Sequence, residues 1–155
     1  MQGHADVIKL LNDVLCAELT AINQYFIHAR RLENQRYTKL ARHAQEESIG
    51  EMKHAQDVID RILYLDGVPN MQKYMKINVG QTVPEQHQFD LATEKDAVER
   101  LNKGIELCRG LGDNGSRVLL EAILKDEEGH IDWLEAQLLQ IQQLGLENYL
   151  AQQIG

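Results

Sequence analysis

The chain has 155 residues, with 24 acidic against 16 basic side chains, a formal net charge of −8 and no long basic run. That balance argues against a nucleic-acid backbone as the main partner and favours cations. The two cysteines, Cys16 and Cys108, form no Cys-x-x-Cys, which excludes a disulfide framework and a zinc ribbon or rubredoxin-type knuckle.

Residues 1–155 fit a single domain with a substantial core. The opening stretch MQGHADVIKLLNDV lacks the basic flank and unbroken apolar core of an export signal. No apolar run approaches the ~18 residues of a membrane span. A soluble protein of a reducing cytoplasm, with no membrane partner, is expected.

Reading every three to four residues from the N-terminus gives Ile8, Leu11, Leu15, Glu18, Ile22, Tyr25 and Ala29, the seam of a first long helix. A short link around Asn34 to Tyr37 leads to a second seam of Leu40, Ala44, Glu47, Glu51, His54 and Val58. Both prolines, Pro69 and Pro84, lie in or beside the stretch Asp66 to Thr82, which also holds Gly67 and Gly80, so this is a connection long enough to cross a bundle. A third seam follows in Leu91, Glu94, Val98, Leu101, Ile105 and Cys108. After a link around Gly110 to Gly115, the fourth runs through Leu120, Ile123, Glu127, His130, Leu134, Gln137 and Ile141. Two hairpins joined by a long crossover make an all-α, ferritin-like four-helix bundle. Gly145 is placed like a helix C-cap, and Leu146 to Ile154 predicts a short fifth helix. Its apolar residues Leu146, Tyr149, Leu150 and Ile154 need a cover, which a subunit interface would supply.

Four glutamates and two histidines interrupt these seams where apolar side chains are expected. They are Glu18, Glu51-x-x-His54, Glu94 and Glu127-x-x-His130, and each Glu-x-x-His follows its partner glutamate by 33 residues. An i, i+3 pair puts a carboxylate and an imidazole on one helix face, about a turn apart. Burying one unpaired carboxylate costs several kcal/mol, so four in one core require compensating charge. Two divalent cations would neutralise the four carboxylates while the imidazoles stay neutral. One glutamate per helix with Glu-x-x-His on two of them is the ligand set of a dinuclear carboxylate centre. Hard oxygen donors with one nitrogen per metal favour iron or manganese over a thiolate-loving metal, and iron is the expected one. Tyr25 and Trp133 lie close in sequence to the ligands and are candidates for passing single electrons. His4, His28, His43 and His87 carry no functional expectation, and Cys108 reads as a buried inert thiol.

The segments AINQYF (21–26), ESIGEMKHA (47–55), DEEGHIDWLE (126–135) and GLENYL (145–150) make the chain resemble the bacterioferritin family over essentially its whole length. The resemblance implies a homo-oligomeric cage of 24 subunits, pure or mixed with a second subunit type. Such a cage oxidises ferrous iron with O₂ or H₂O₂ at an intrasubunit di-iron centre and stores the ferric mineral inside. It makes Glu18, Glu51, His54, Glu94, Glu127 and His130 the ferroxidase ligands, with Glu51 and Glu127 bridging.

The resemblance also implies a haem b shared by two subunits through Met52, and an iron-sulfur ferredoxin as reductase partner. Met52 follows Glu51 directly and so turns about 100° away from the ligand seam. There it joins a stripe of Ile49, Ile59 and Leu63 expected to face Leu19, Asn23 and Phe26 across a dimer axis. Two departures stand out. The positions that form an inner-surface iron site in some bacterioferritins, through His and Asp, are Glu46 and Gly50 here. Asn148 matches a pore-lining residue, but the glutamine expected three residues later is Ala151, followed by Gln152. Two rivals share the architecture: a di-iron oxygenase and a peroxide-reducing rubrerythrin-like enzyme.

Overall fold

The computed structural model describes all residues from Met1 to Gly155. It contains five helices and no strand: α1 Ala5–Asn34, α2 Thr38–Tyr64, α3 Val83–Gly110, α4 Asn114–Leu144 and α5 Leu146–Ala151. Helix starts follow local chemistry. The His4 ring caps α1 by accepting from the Asp6 amide at 3.1 Å. Thr82 caps α3 by accepting from the Glu85 amide at 3.3 Å, with Pro84 in the first turn. Asp113 caps α4 through the Ser116 amide at 3.0 Å and is fastened to Arg61 of α2 at 2.8 Å. Thr38 of α2 has no such cap before it. Instead the chain's C-terminus folds back, and the Lys39 amide donates to the Gln153 carbonyl at 3.0 Å.

The principal helix pairs are α1 with α2 and α3 with α4, each joined by a short turn. Between the two hairpins the crossover tracks the length of α1. The Asn70 amide donates to Asn12 Oδ1 (2.8 Å), that of Met75 to Thr20 Oγ1 (2.9 Å), that of Asn78 to Gln24 Oε1 (3.2 Å) and that of Gly80 to His28 Nε2 (2.9 Å). Extended backbone has no helical partners for its amides, and polar side chains one or two turns apart on α1 satisfy them. Gly80 runs so close to α3 that a Cβ there would stand 2.4 Å from the Gln86 amide nitrogen.

Two apolar clusters fill the interior. The larger is built on Leu11, Leu15, Ile62, Leu101, Leu120 and Ile123, and the smaller on Leu32, Leu40, Val83 and Tyr149. Along α2 the smaller cluster ends at Ala44 and the larger begins at Ala55, and the residues between them include Ser48, Glu51 and His54, all buried. The polar layer is thus closed at both ends by hydrocarbon, which lowers the local dielectric.

Several expectations need correction. The fifth helix ends at Ala151, not Ile154, because Gln153 and Gly155 turn away to meet Lys39 and Thr38. Its central residue, Tyr149, needs no second subunit for cover. It is 1 % exposed within its own chain, packed with Ala29, Leu32 and Trp133. Leu146 and Ile154 do remain exposed. Leu19, expected on the outer face, is buried in the larger core, and Ile59 packs partly against the same core.

Candidate metal centre

One glutamate from α1, one from α3, and a Glu-x-x-His from each of α2 and α4 meet in the polar layer. Glu18, Glu51, Glu94 and Glu127 are between 0 and 2 % exposed. Their donor atoms form two overlapping quartets. Glu18, Glu51, His54 and Glu127 make one, and Glu51, Glu94, Glu127 and His130 make the other, with all donors in each within 4.8 Å of one another. Glu51 and Glu127 belong to both quartets.

The histidines present the same nitrogen to the middle of the layer. His54 Nδ1 lies 3.2 Å from Glu127 Oε1, 3.5 Å from Glu51 Oε1 and 3.6 Å from Glu18 Oε2. His130 Nδ1 lies 3.4 Å from Glu94 Oε1, 3.5 Å from Glu51 Oε1 and 3.7 Å from Glu127 Oε1. The other ring nitrogens meet further carboxylates. His54 Nε2 is hydrogen-bonded to Asp126 Oδ2 at 2.8 Å, which fixes the tautomer and leaves Nδ1 a lone pair for a cation. His130 Nε2 stands 2.7 Å from Glu47 Oε2, but that oxygen lies off the direction of the ring N–H and makes no hydrogen bond.

The buried groups of the layer perturb one another strongly. Burial, reinforced by neighbouring carboxylates, pushes Glu51 and Glu94 well above the usual carboxylate range, and burial also raises Glu18 and Glu127. For His54 burial opposes the charged ring, yet contacts with Glu127, Glu18 and Glu51 carry its proton affinity far above the ordinary imidazole value. For His130 burial is likewise outweighed, by Glu47 and Glu94, and the ring is raised to about 11. Even so, Glu18 Oε2, Glu51 Oε1, Glu94 Oε2, Glu127 Oε1 and His54 Nδ1 are buried without a hydrogen-bond partner. Such orphaned donors facing one another are what two cations would satisfy.

Around the layer, Tyr25 donates its hydroxyl to Glu94 Oε1 at 2.7 Å. A cavity of about 270 Å³ between α1, α3 and the crossover reaches Glu18, Glu51 and Glu127 from outside, past Thr20, Asp96 and Arg100. Trp133 stands apart from the quartets, stacked on His43 with ring centres 3.6 Å apart and planes at 14°. Met52 is 56 % exposed among exposed Phe26, Ile49 and Leu63. Glu46 is exposed and Gly50 faces open space, and neither belongs to a cluster of metal donors.

The sequence reading missed Asp126 and took Glu47 only as a seam position. Each lies beside a ligand in the helical register, one residue before Glu127 or one turn before Glu51, and that adjacency was the available signal. His28 and His87 prove to be structural. His28 bridges Asp90 and the Gly80 amide, and His87 Nε2 meets the Tyr149 hydroxyl at 3.0 Å.

Comparison with known proteins agrees with this arrangement. Residues 8–144 match the ferritin-like domain family. The bacterioferritin BfrA of Mycobacterium tuberculosis strain H37Rv is 52 % identical over 152 residues, covering 98 % of this chain and 96 % of that relative. The bacterioferritin of Mycobacterium leprae is 53 % identical with the same coverage, and that of Streptomyces coelicolor is 50 % identical over 97 % of this chain and 90 % of its own. The solved structure of M. tuberculosis BfrA superposes with a TM-score of 0.99 at 51 % identity, covering 100 % of this chain and 98 % of that one. On a fold, a donor set and a full-length likeness that agree, the chain belongs to the bacterioferritin branch of the ferritin-like family.

Proposed function

We propose that this protein stores and detoxifies iron, and that the buried layer is its ferroxidase centre. Family membership supports iron storage. The observation that carries the finer reading is the set of unpartnered donors on Glu18, Glu51, His54, Glu94 and Glu127, completed by His130. Two Fe²⁺ are the substrates, each held by one Glu-x-x-His, with Glu51 and Glu127 shared. Each gives up one electron, and O₂ takes both with two protons to leave as hydrogen peroxide. With H₂O₂ as oxidant the products are two waters. The chain contributes donor geometry, near-neutral net charge and apolar clusters that keep bulk water out. When only one Fe²⁺ is available to a two-electron oxidant, Tyr25 is the residue suited to pass the second electron, its phenolic proton going to Glu94 across their hydrogen bond.

The remaining assignments rest on this reading. All 155 residues act as one ferritin-like domain, and 24 copies, alone or with a second subunit type, enclose the mineral in the cytoplasm. No helix is long and apolar enough to cross a membrane. Asn148 and Gln152 lie on α5 and directly after it, where the cage would close on a pore. For haem b the fit is favourable, because the exposed Met52 thioether stands in an apolar face with Phe26, Ile49 and Leu63. Bound between two such faces, haem would supply one-electron transfer from a ferredoxin to the stored ferric iron.

Stopped-flow absorbance on mixing the metal-free protein with Fe²⁺ in air tests the centre. Glu18→Ala and His130→Ala should each abolish the fast diferric signal, and undiminished oxidation in either would overturn the assignment. Purified Met52→Leu should lack bis-methionine haem spectra. The oxygenase reading calls for an apolar substrate pocket beside the metals. The cavity that reaches them carries apolar side chains (Ala17, Ala21, Met75, Ala97) as well as polar ones (Thr20, Asp96, Arg100), so assembly rather than its lining separates the two readings. Size-exclusion chromatography separates the two, since an oxygenase would elute as a monomer or small oligomer and a cage near the mass of 24 chains.

A further inference from the structure

Glu47 occupies an unusual position between two imidazoles. Its Oε2 pairs with His130 Nε2 at 2.7 Å, off the line of a hydrogen bond, and accepts no hydrogen bond from any other group. Its Oε1 faces His43 Nε2 at 3.6 Å, beyond hydrogen-bond reach, and the two side chains are only 14 and 28 % exposed. A carboxylate this secluded normally takes directed hydrogen bonds, and this one has none on the oxygen nearest the centre.

His43 is held as a ligand would be. Its ring lies flat on Trp133 at 3.6 Å, which fixes its plane, and it sits one helical turn before Glu47 on the same face of α2. A Zn²⁺ ion binds nitrogen and oxygen donors at about 2.0–2.2 Å, so one ion can bridge donors separated by 3.6 Å with little movement of either.

We propose that His43 and Glu47 form a third divalent-metal position beside the dinuclear centre, coupled to it through His130. His130 turns Nδ1 to the centre and Nε2 to Glu47, so an ion held by His43 and Glu47 stands one imidazole away from the second quartet. One nitrogen and one carboxylate, with water completing the shell, suit Fe²⁺, Zn²⁺ or Co²⁺ and give weaker binding than either quartet. The position is a relay point for cations passing to or from the centre. It rests on the dinuclear reading only for that use, and not for its existence.

Zn²⁺ is the probe, because it binds without redox chemistry. Calorimetric titration of the metal-free, assembled protein should give three Zn²⁺ per chain, the third the weakest. His43→Phe keeps a flat ring against Trp133 and removes the nitrogens, and it should bind two. Glu47→Gln keeps the shape, removes the charge and should also bind two. Anomalous scattering from zinc-soaked wild-type crystals should show the third peak between His43 and Glu47. A wild type that binds only two ions, or a His43→Phe protein that still binds three, overturns the site while leaving the dinuclear centre standing. A wild type with a single ion that His43→Phe abolishes would keep this site and overturn the dinuclear reading instead.

Discussion

Tyr25 and Glu94 are joined by a 2.7 Å hydrogen bond inside the bundle, with Tyr25 only 3 % exposed and Glu94 not exposed at all. Burial, with Glu94 beside it, drives the phenol's pKa well above its ordinary value, so Tyr25 keeps its proton and acts as a donor at every physiological pH. Tyr25→Phe leaves Glu94 Oε1 without this partner. That oxygen keeps only the longer contact with His130 Nδ1 at 3.4 Å, so the loss is roughly 1 kcal/mol, or a fall in Tm of a few degrees for a chain of this size. Calorimetry of the metal-free protein should show that fall, and stopped-flow mixing with Fe²⁺ should show slower oxidation. An unchanged Tm would mean the hydrogen bond contributes nothing net.

Removing charge from the centre should stabilise the empty protein. Glu51 is 1 % exposed and its carboxylate is disfavoured first by burial and then by Glu18. Glu51→Gln keeps the volume while removing the ionisable group, its burial penalty and its repulsion with Glu18. The variant should therefore melt no lower than wild type without metal. Wild type should gain about 2.7 kcal/mol in Zn²⁺ at one hundred times the dissociation constant, and the variant should lose most of that gain. Equal responses to Zn²⁺ would show that Glu51 is not a ligand.

His87 sets a pH window for stability. Burial lowers its pKa from the ordinary 6.5 to about 4, and in the fold it is neutral beside the Tyr149 hydroxyl. Between those two values the unfolded chain binds a proton that the folded chain does not, so stability falls as pH drops from 6.5 toward 4. The loss from this one group is on the order of 3 kcal/mol. Urea unfolding at pH 7 and pH 5 should show a smaller difference for His87→Gln than for wild type. Parallel pH profiles would remove His87 as the cause.

The crossover is seated by one close approach. At Gly80 an added Cβ would stand 2.4 Å from the Gln86 amide nitrogen and 2.7 Å from its Cα, both backbone atoms. Gly80→Ala must push the crossover off α3 and loosen the residue-80 amide from His28. Overpacking of this kind costs about 1–3 kcal/mol. Hydrogen exchange should speed up selectively at the Met75, Asn78 and Gly80 amides, and uniform protection along the crossover would contradict this seating.

Much of this architecture was legible in the sequence. The seam positions of Glu18, Glu51, His54, Glu94, Glu127 and His130 depend on one helical period, and the structure gathers all six into one layer. The links around Asn34 to Tyr37 and Asp66 to Thr82 fall where the helices break. What escaped depends on contacts between segments far apart in sequence. Nothing local tells that His28 accepts from Gly80, 52 residues away, or that Lys39 holds the C-terminal turn and ends α5 early. Leu19 adjoins Glu18 and looked able to face outward. Helical register alone could not show that the core closes around it.

Diffraction recorded at the iron edge from crystals soaked anaerobically in Fe²⁺ tests the central claim most directly. Two anomalous peaks about 3.5–4 Å apart are expected among the four glutamates and two histidines, apart from any third ion at His43 and Glu47. One should lie within Glu18, Glu51, His54 and Glu127, and the other within Glu51, Glu94, Glu127 and His130. A single peak, or peaks that avoid these residues, would contradict the dinuclear centre.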